Sequence, residues 1–281
     1  MEVILSEKCL SDFIKLIHEL TGITIAPNRS SMVEGRIRKR VFALKLANYE
    51  AYLKFVKEDK VEQVSFIDLI TTNETYFYRT PRIWDYIEKK LLPAWLESHP
   101  KAVFTAWSAA ASSGEEAHTL GVLCQAFKEK HPSFLYQITG TDISNEMVGL
   151  CQLGHYSGRA IDSFKKTRPE LFKKHLKHVE AETFEVSPEI KTRIKFQQHN
   201  LFKALPGKEK FDLVLIRNVL IYFKGSDQEK VISLIESKLA ADGVMIIGES
   251  ESLSHINTNF KSVEPLVYMQ NSSLREVKKA S

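Results

Sequence analysis

Cysteine is scarce. Only Cys9, Cys124 and Cys151 occur among 281 residues, none at CxxC spacing. An odd count of this kind argues against a disulfide framework. Long apolar runs are missing too. None approaches the ~18 residues of a spanning helix, and the longest, 214–223, is interrupted by Arg217 and Asn218. The apolar part of the opening MEVILSEKCL is too short for a signal peptide, so a soluble cytoplasmic chain with free thiols is expected. Neither sign of charge dominates. The 39 Lys and Arg against 35 Asp and Glu leave a net charge of +4, too little over the whole chain to indicate nucleic acid. With 43% hydrophobic and 26% charged residues, the composition is that of a folded globular protein rather than a disordered one.

Several chemistries lack their sequence marks. There is no GxxxxGK[ST] phosphate loop and no GxGxxG. Gly-x-Ser-x-Gly is absent, as is the [DN]PP[YF] motif common in adenine-amino methyltransferases. The nine His show no metal-ligand pattern. His175 and His178 share a helical face by spacing, but no carboxylate or Cys motif accompanies them. That face is expected to be solvated, and no metal is expected. No internal repeat or low-complexity tract is visible.

What is present divides into two textures. Residues 1–88 read as helices. Phe13, Leu16, Ile17 and Leu20 recur at helical spacing before Gly22. Met32, Val33, Ile37, Val41 and Leu44 mark a second helix. Tyr52, Leu53 and Val56 suggest a third, and Phe66, Ile67, Leu69 and Ile70 a fourth. From 89 to 281, apolar strand candidates at 103–109, 136–141, 194–197, 211–216 and 244–248 alternate with helices at 115–130, 145–153 and 227–239. Such alternation predicts an α/β fold, a parallel sheet covered by helices. Segments 260–263 and 266–270 flank Glu264-Pro265 as a closing antiparallel hairpin. Segments 183–186 and 191–196, on either side of Ser187-Pro188, break the alternation and predict a small antiparallel β insert over about 178–197. The polar tail 275–281 is expected to fray.

The first strand of the α/β half runs into Trp107-Ser-Ala-Ala-Ala-Ser-Ser-Gly-Glu-Glu116. Small residues allow the backbone to approach a ligand, but Glu115 and Glu116 would repel a pyrophosphate at the helix start. They suit a cationic or hydroxyl-rich ligand, or simply stabilise the helix N-terminus. Asp142 closes the second strand, placed to accept from ribose hydroxyls or to cap a helix. Arg217, Asn218 and Tyr222 follow the fourth strand, at the end where open α/β sheets bind ligands. The cluster 71–79 is either a capped helix end or a junction that reaches into a cleft.

Taken together these motifs resemble the CheR family of chemoreceptor glutamate methyltransferases. The blocks are Asn73-Glu-Thr-Tyr-Phe-Tyr-Arg79, the loop 107–116, Arg217-Asn-Val-Leu-Ile-Tyr-Phe223 and Gly248-Glu-Ser-Glu-Ser-Leu253. The resemblance implies a Rossmann-like class I methyltransferase sheet preceded by an all-α domain, with S-adenosylmethionine as donor and S-adenosylhomocysteine as product. It implies a cofactor site of Asn73, Thr75, Arg79, Glu116, Asp142, Asn200, Leu201, Arg217 and Asn218. Arg79 and Tyr222 would sit nearest the transferred methyl as catalytic residues. The chain departs from the family at Ala117-His118-Thr119, where Pro-Tyr-Ser is common, at Tyr78 (commonly Phe) and at Ile216 (commonly Cys).

Substrate recognition follows from where the charge lies. Residues 29–45 carry six basic side chains against Glu34 alone. Arg36 and Arg40, four apart on one helix face, are the expected substrate-binding pair, facing the Glu-rich cytoplasmic helices of a chemoreceptor. A solvated face and a nucleic-acid partner are the other readings of such a stripe. The resemblance implies a monomer that binds no nucleic acid and does not insert in a membrane. Without glycine over 176–184, the insert is expected to need no receptor tail peptide. A methyltransferase for RNA or a small molecule, and a non-catalytic binder of the donor, stay open as alternatives.

Overall fold

In the computed structural model, which describes residues 5–271, the chain enters its first helix at Ser6. The Ser6 hydroxyl accepts from the Cys9 N–H, and helix α1 (Glu7–Thr21) ends on Gly22 at φ 74°, a left-handed position that favours glycine. Helices α2 (Ser30–Ala43), α3 (Tyr49–Glu58) and α4 (Lys60–Ile70) follow. Asn48 and Asp59 cap the last two by accepting from Ala51 and Glu62 N–H groups. Phe13, Ile17, Val33, Ile37, Tyr52 and Phe66 meet in one buried core. The expected tail 275–281 lies outside the described residues.

The helix α2 stripe requires a correction. Arg36 and Arg40 do share a face, but that face packs on α4 rather than standing free. Arg36 Nη1 donates to the carbonyls of Leu69, Ile70 and Thr71 at 3.1, 2.7 and 2.9 Å, satisfying the open end of α4. Arg40 makes a bidentate pair with Glu62 at 2.9 and 2.7 Å, and Tyr52 Oη donates to the same carboxylate at 2.8 Å. The exposed cations of the stripe are Arg29, Arg38, Lys39 and Lys45, with Arg38 paired to Glu34 at 2.7 Å.

Helices α5 (Pro81–Tyr86) and α6 (Leu92–Ser98), joined through a π-helical turn, come next. Phe77, Ile83, Trp84, Ile87 and Trp95 belong to the core of the following sheet. By packing, the division between the two halves therefore falls between 70 and 77 rather than at 88.

The large sheet takes strands β1 (Val103–Ser108), β2 (Leu135–Asp142), β6 (Ile194–Gln198), β7 (Phe211–Ile216), β8 (Leu239–Ile247), β9 (Phe260–Glu264) and β10 (Val267–Gln270) in the order β6-β2-β1-β7-β8-β10-β9. The first five run parallel, and β10 pairs antiparallel with both β8 and β9. Helices α7 (Glu115–Lys130), α8 (Asn145–Leu153) and α12 (Gly225–Glu236) connect the parallel strands. The β1 and β7 strands are buried nearly throughout, as expected for strands covered on both faces.

A second, three-stranded antiparallel sheet is built from β3 (His155–Tyr156), β4 (Leu176–Glu180) and β5 (Thr183–Val186). Helices α9 (Arg159–Thr167) and α10 (Pro169–His175) lie inside this excursion. Of the two strands expected in the insert, only 183–186 lies in it, whereas the strand expected in the large sheet at 194–197 is there. Ser187-Pro188 starts the short helix α11 (Pro188–Lys191), which returns the chain to the large sheet, so residues 194–198 become an edge strand beside β2. His175 and His178 share no helix face either. His175 ends α10 and is buried, whereas His178 stands exposed on β4. No helix among the described residues is long and apolar enough to cross a membrane.

The Arg40–Glu62 pair can be tested directly. The Glu62 side chain is 5% exposed and Arg40 33% exposed. Arg40→Ala would strand a buried carboxylate, at a cost of about 2–3 kcal/mol, below the full penalty because Arg40 is partly solvated. Calorimetry should record a melting temperature several degrees lower. An unchanged melting temperature would show that Glu62 does not depend on its partner.

Candidate active site

In an open α/β sheet, a crevice opens where the connections on either side of a strand leave in opposite directions. Strand β1 is that point here, between β2 and β7. Residues just past β1, β2, β6 and β7 line one cleft of about 1180 Å³, open mouth included. Its other wall comes from Thr21, residues 23–25, Arg29 and Met32 of the helical half and from the linker 70–76.

All the expected cofactor and catalytic positions line this cleft: Asn73, Thr75, Arg79, Glu116, Asp142, Asn200, Leu201, Arg217, Asn218 and Tyr222. Arg36 and Arg40 do not. Beside the cleft sits a buried ion pair. Arg217 Nη1 meets Glu116 Oε2 at 2.9 Å, with the side chains 2% and 11% exposed. Ser108 Oγ donates to the other Glu116 oxygen at 2.8 Å. Arg217 Nη2 donates to the Arg79 carbonyl at 2.9 Å, and its guanidinium lies 5.5 Å from the Trp84 ring centroid, a cation–π contact. Arg217 Nε is buried without a partner, an unmet donor beside the cleft. The adjacent Glu115 faces away from the cleft. It is buried, bonded to Ser113 Oγ at 2.7 Å, and burial lifts its carboxyl above the usual range. The two acids therefore serve different ends.

Asp142 does not cap helix α8, since Ser144 does that. The Asp142 carboxylate instead accepts from the Ser112 N–H at 2.8 Å and the Ser144 N–H at 2.9 Å. Burial pushes its carboxyl above the ordinary range, and these N–H groups pull against that shift. Ser112 Oγ in turn donates to the Asn73 carbonyl at 3.0 Å, so the loop after β1 is pinned to β2 and to the linker. Asn200 lines the cleft while its Nδ2 donates to the Leu20 carbonyl at 3.0 Å. Arg79 bonds the Glu74 carbonyl at 3.2 Å and lies over the Tyr76 ring. Tyr222 is half-buried, with the Arg29 guanidinium 5.7 Å from its ring centroid.

Sequence reasoning missed part of the support. Tyr156 on β3 donates to the Ser113 carbonyl at 2.8 Å and contacts His118 Nδ1 at 2.7 Å. Burial drives the His118 ring down to about 3, so it is neutral. This His stands where the family commonly has Tyr, and it braces the loop from beneath. Only the departure from the family pattern marked it in the sequence. Glu251, buried just past β8, was also missed as a site residue.

Comparison with known families matches residues 10–71 to "CheR methyltransferase, all-alpha domain" and residues 73–269 to "CheR methyltransferase, SAM binding domain". The chain is 29% identical over 269 residues to "Chemotaxis protein methyltransferase" of Borreliella burgdorferi, covering 93% of this chain and 94% of that protein. It is 28% identical over 265 residues to "Chemotaxis protein methyltransferase 1" of Vibrio cholerae, covering 93% and 95%.

Gly114 gives a test of how tightly the loop is held. At φ 102°, an added Cβ would lie 2.6 Å from Tyr156 Oη and 3.1 Å from Cys151 Sγ. Gly114→Ala should cost about 1–3 kcal/mol and weaken binding of S-adenosylhomocysteine, as read by thermal unfolding and isothermal titration. Wild-type values in both would show that the loop has slack.

Proposed function

We propose a function from one premise: the chain belongs to the CheR methyltransferase family. Methyl transfer from S-adenosylmethionine in chemotaxis is the activity of that family, and we infer that the acceptors are glutamate side-chain carboxylates of chemoreceptors, which become methyl esters. The donor supplies an electrophilic methyl group. A glutamate side chain with pKa ~4.3 is already ionised at neutral pH, so the acceptor needs no base, and catalysis is mainly positioning.

The observation that carries the reading is the Glu116–Arg217 pair with its unmet Nε. A neutral pair of opposite charges suits a zwitterion better than a phosphate. Glu116 would meet the ammonium and Arg217 the carboxylate of the donor's amino-acid end. Asp142 would accept from its ribose hydroxyls. Asn73, Thr75, Asn200, Leu201 and Asn218 would complete the wall around it. Arg79 would orient the charged end or the acceptor carboxylate, and Tyr222 would hydrogen-bond close to the methyl. NAD would bring a pyrophosphate to an acidic helix start, and binding of S-adenosylhomocysteine without NAD is expected.

The acceptor would approach over the helical half, where Arg29 reaches the cleft and Lys39 and Lys45 stand exposed on or beside α2. With Arg36 and Arg40 bonded inward and Arg29 over the Tyr222 ring, the exposed Lys39 and Lys45 are the better candidates for an acidic receptor helix. We read the enzyme as a cytoplasmic monomer that acts on protein rather than nucleic acid. The link from β4 to β5 is tight, with Glu180 opposite Thr183, and we keep the expectation that no receptor tail peptide is needed.

Incubation with labelled donor and receptor-bearing membranes should give methyl label that is released by base. Base-stable label would mark a different acceptor and overturn the reading. Arg79→Ala and Tyr222→Phe should each lower kcat by at least about tenfold. The double charge reversal Lys39→Glu and Lys45→Glu should raise KM for the receptor by about tenfold while leaving S-adenosylhomocysteine affinity alone. An unchanged KM would remove those cations from the docking surface.

A further inference from the structure

Glu251 stands just past β8 and is 9% exposed. It does not line the cleft, yet its carboxylate is fully engaged. Oε1 accepts from the N–H groups of Val219 and Leu220, both at 2.8 Å. Oε2 accepts from Asn218 at 2.9 Å and from Gly248 at 2.6 Å. Three of these donors are consecutive in the chain. Successive N–H groups converging on one anion are how proteins commonly hold a bound phosphate. Here the anion belongs to the chain itself.

The surroundings are shaped to the carboxylate. A Cβ on Gly248 would lie 2.8 Å from Glu251 Oε2, and 2.8 Å from both the backbone and side-chain nitrogens of Asn218. Gly248 therefore leaves the space in which the carboxylate sits. Asn218 has a φ of 60°, a left-handed conformation that Asn adopts more readily than most residues but that the turn needs held in place. The turn 220–222 follows at once, closed by Tyr222 N–H to the Val219 carbonyl at 3.1 Å. Tyr222 and Asn218 both line the cleft, and among the described residues the one side chain bonded to all three N–H groups at the start of this turn is Glu251.

We propose that Glu251 is a positioning residue, whose carboxylate fixes the turn 218–222 and so aims Asn218 and Tyr222 into the cleft. Its kinetic consequences rest on the methyltransferase reading above, while its structural core does not. The side chain touches neither donor nor acceptor. It acts through backbone N–H groups, so it should alter ligand affinity and turnover together while sparing receptor docking.

Glu251→Gln keeps the volume but presents one acceptor oxygen where four donors converge. Amide hydrogen exchange at 218–220 should then quicken by at least about 100-fold, with the β7 and β8 amides little changed. Affinity for S-adenosylhomocysteine and kcat should each fall by at least about tenfold, with KM for the receptor within about twofold of wild type. Unchanged exchange at 218–220 overturns the proposal. So does a variant that melts earlier yet keeps wild-type affinity and kcat, because the residue is then merely structural. If Glu251→Gln does not fold, Glu251→Asp decides by the same readouts, since it keeps the charge but shortens the reach. A wild-type chain that fails to bind S-adenosylhomocysteine would refute the function, and the exchange rates would still judge Glu251.

Discussion

The Glu116–Arg217 ion pair is the contact on which the site's assembly depends. Two charges this deeply buried are tolerated only when paired and hydrogen-bonded. Meeting that demand draws three separate segments together. Glu116 brings the first turn of α7, Arg217 the end of β7, and the Arg79 carbonyl the linker from the helical half. Ser108 at the end of β1 and the Trp84 ring complete the enclosure. The sheet provides the crevice, but the ion pair decides which side chains meet there. The unmatched Nε follows from the same geometry, because both terminal nitrogens of the guanidinium are satisfied by protein oxygens and the third is not.

The helical half is attached at the rim of the cleft by contacts too close to allow much slack. Gly22 ends α1 where any side chain would collide with Phe202, whose ring would stand 2.0 Å from an added Cβ. The neighbouring Asn200 donates to Leu20, and the Thr24 N–H donates to the Tyr222 carbonyl at 2.8 Å. His18 meets Asp227 of α12 at 3.0 Å. The helical half is thereby held in fixed relation to Tyr222. Arg36 contributes from within. By bonding the last carbonyls of α4, it fixes where the linker begins, and with it Asn73 and Thr75.

How much of this could be read from the sequence depends on what each residue bonds to. Strand ends were accessible because apolar runs stop at polar residues, and Asp142 and Arg217 stand at such stops. The helices of the first 70 residues were accessible through their period. Period alone failed at Arg36 and Arg40. It places two residues on one face without saying whether the face meets water or another helix. At 191–196 it gave two overlapping readings, a large-sheet strand at 194–197 and an insert strand, and the short helix after Pro188 decides for the first. Helices α9 and α10 were not anticipated, being short and rich in charge. Residues 71–79 have no period at all, since they form neither helix nor strand, and family resemblance rather than pattern marked them. Glu251 was hidden most completely as a site residue. Its partners are backbone N–H groups, which every residue but proline possesses, and the family resemblance marked the block 248–253 without giving Glu251 a role.

Those backbone partners explain a further regularity. Tyr78, Thr80, Ser112 and Asn218 all have positive φ, between 51° and 64°, and all lie in the segments that build the cleft. Each conformation costs on the order of 1 kcal/mol or more for Tyr, Thr or Ser and less for Asn. Without restraint these segments would relax. Three of the four have their N–H held by a side chain from another segment: Tyr78 by Thr119, Ser112 by Asp142 and Asn218 by Glu251. In two cases the acceptor is a buried carboxylate, and a charged acceptor forms the stronger bond. Buried acids here thus do more than meet a ligand. They hold a strained backbone in the one conformation that points its side chains inward. Asp142 does both, lining the cleft while holding Ser112, and this explains why its burial is tolerated before any ligand arrives.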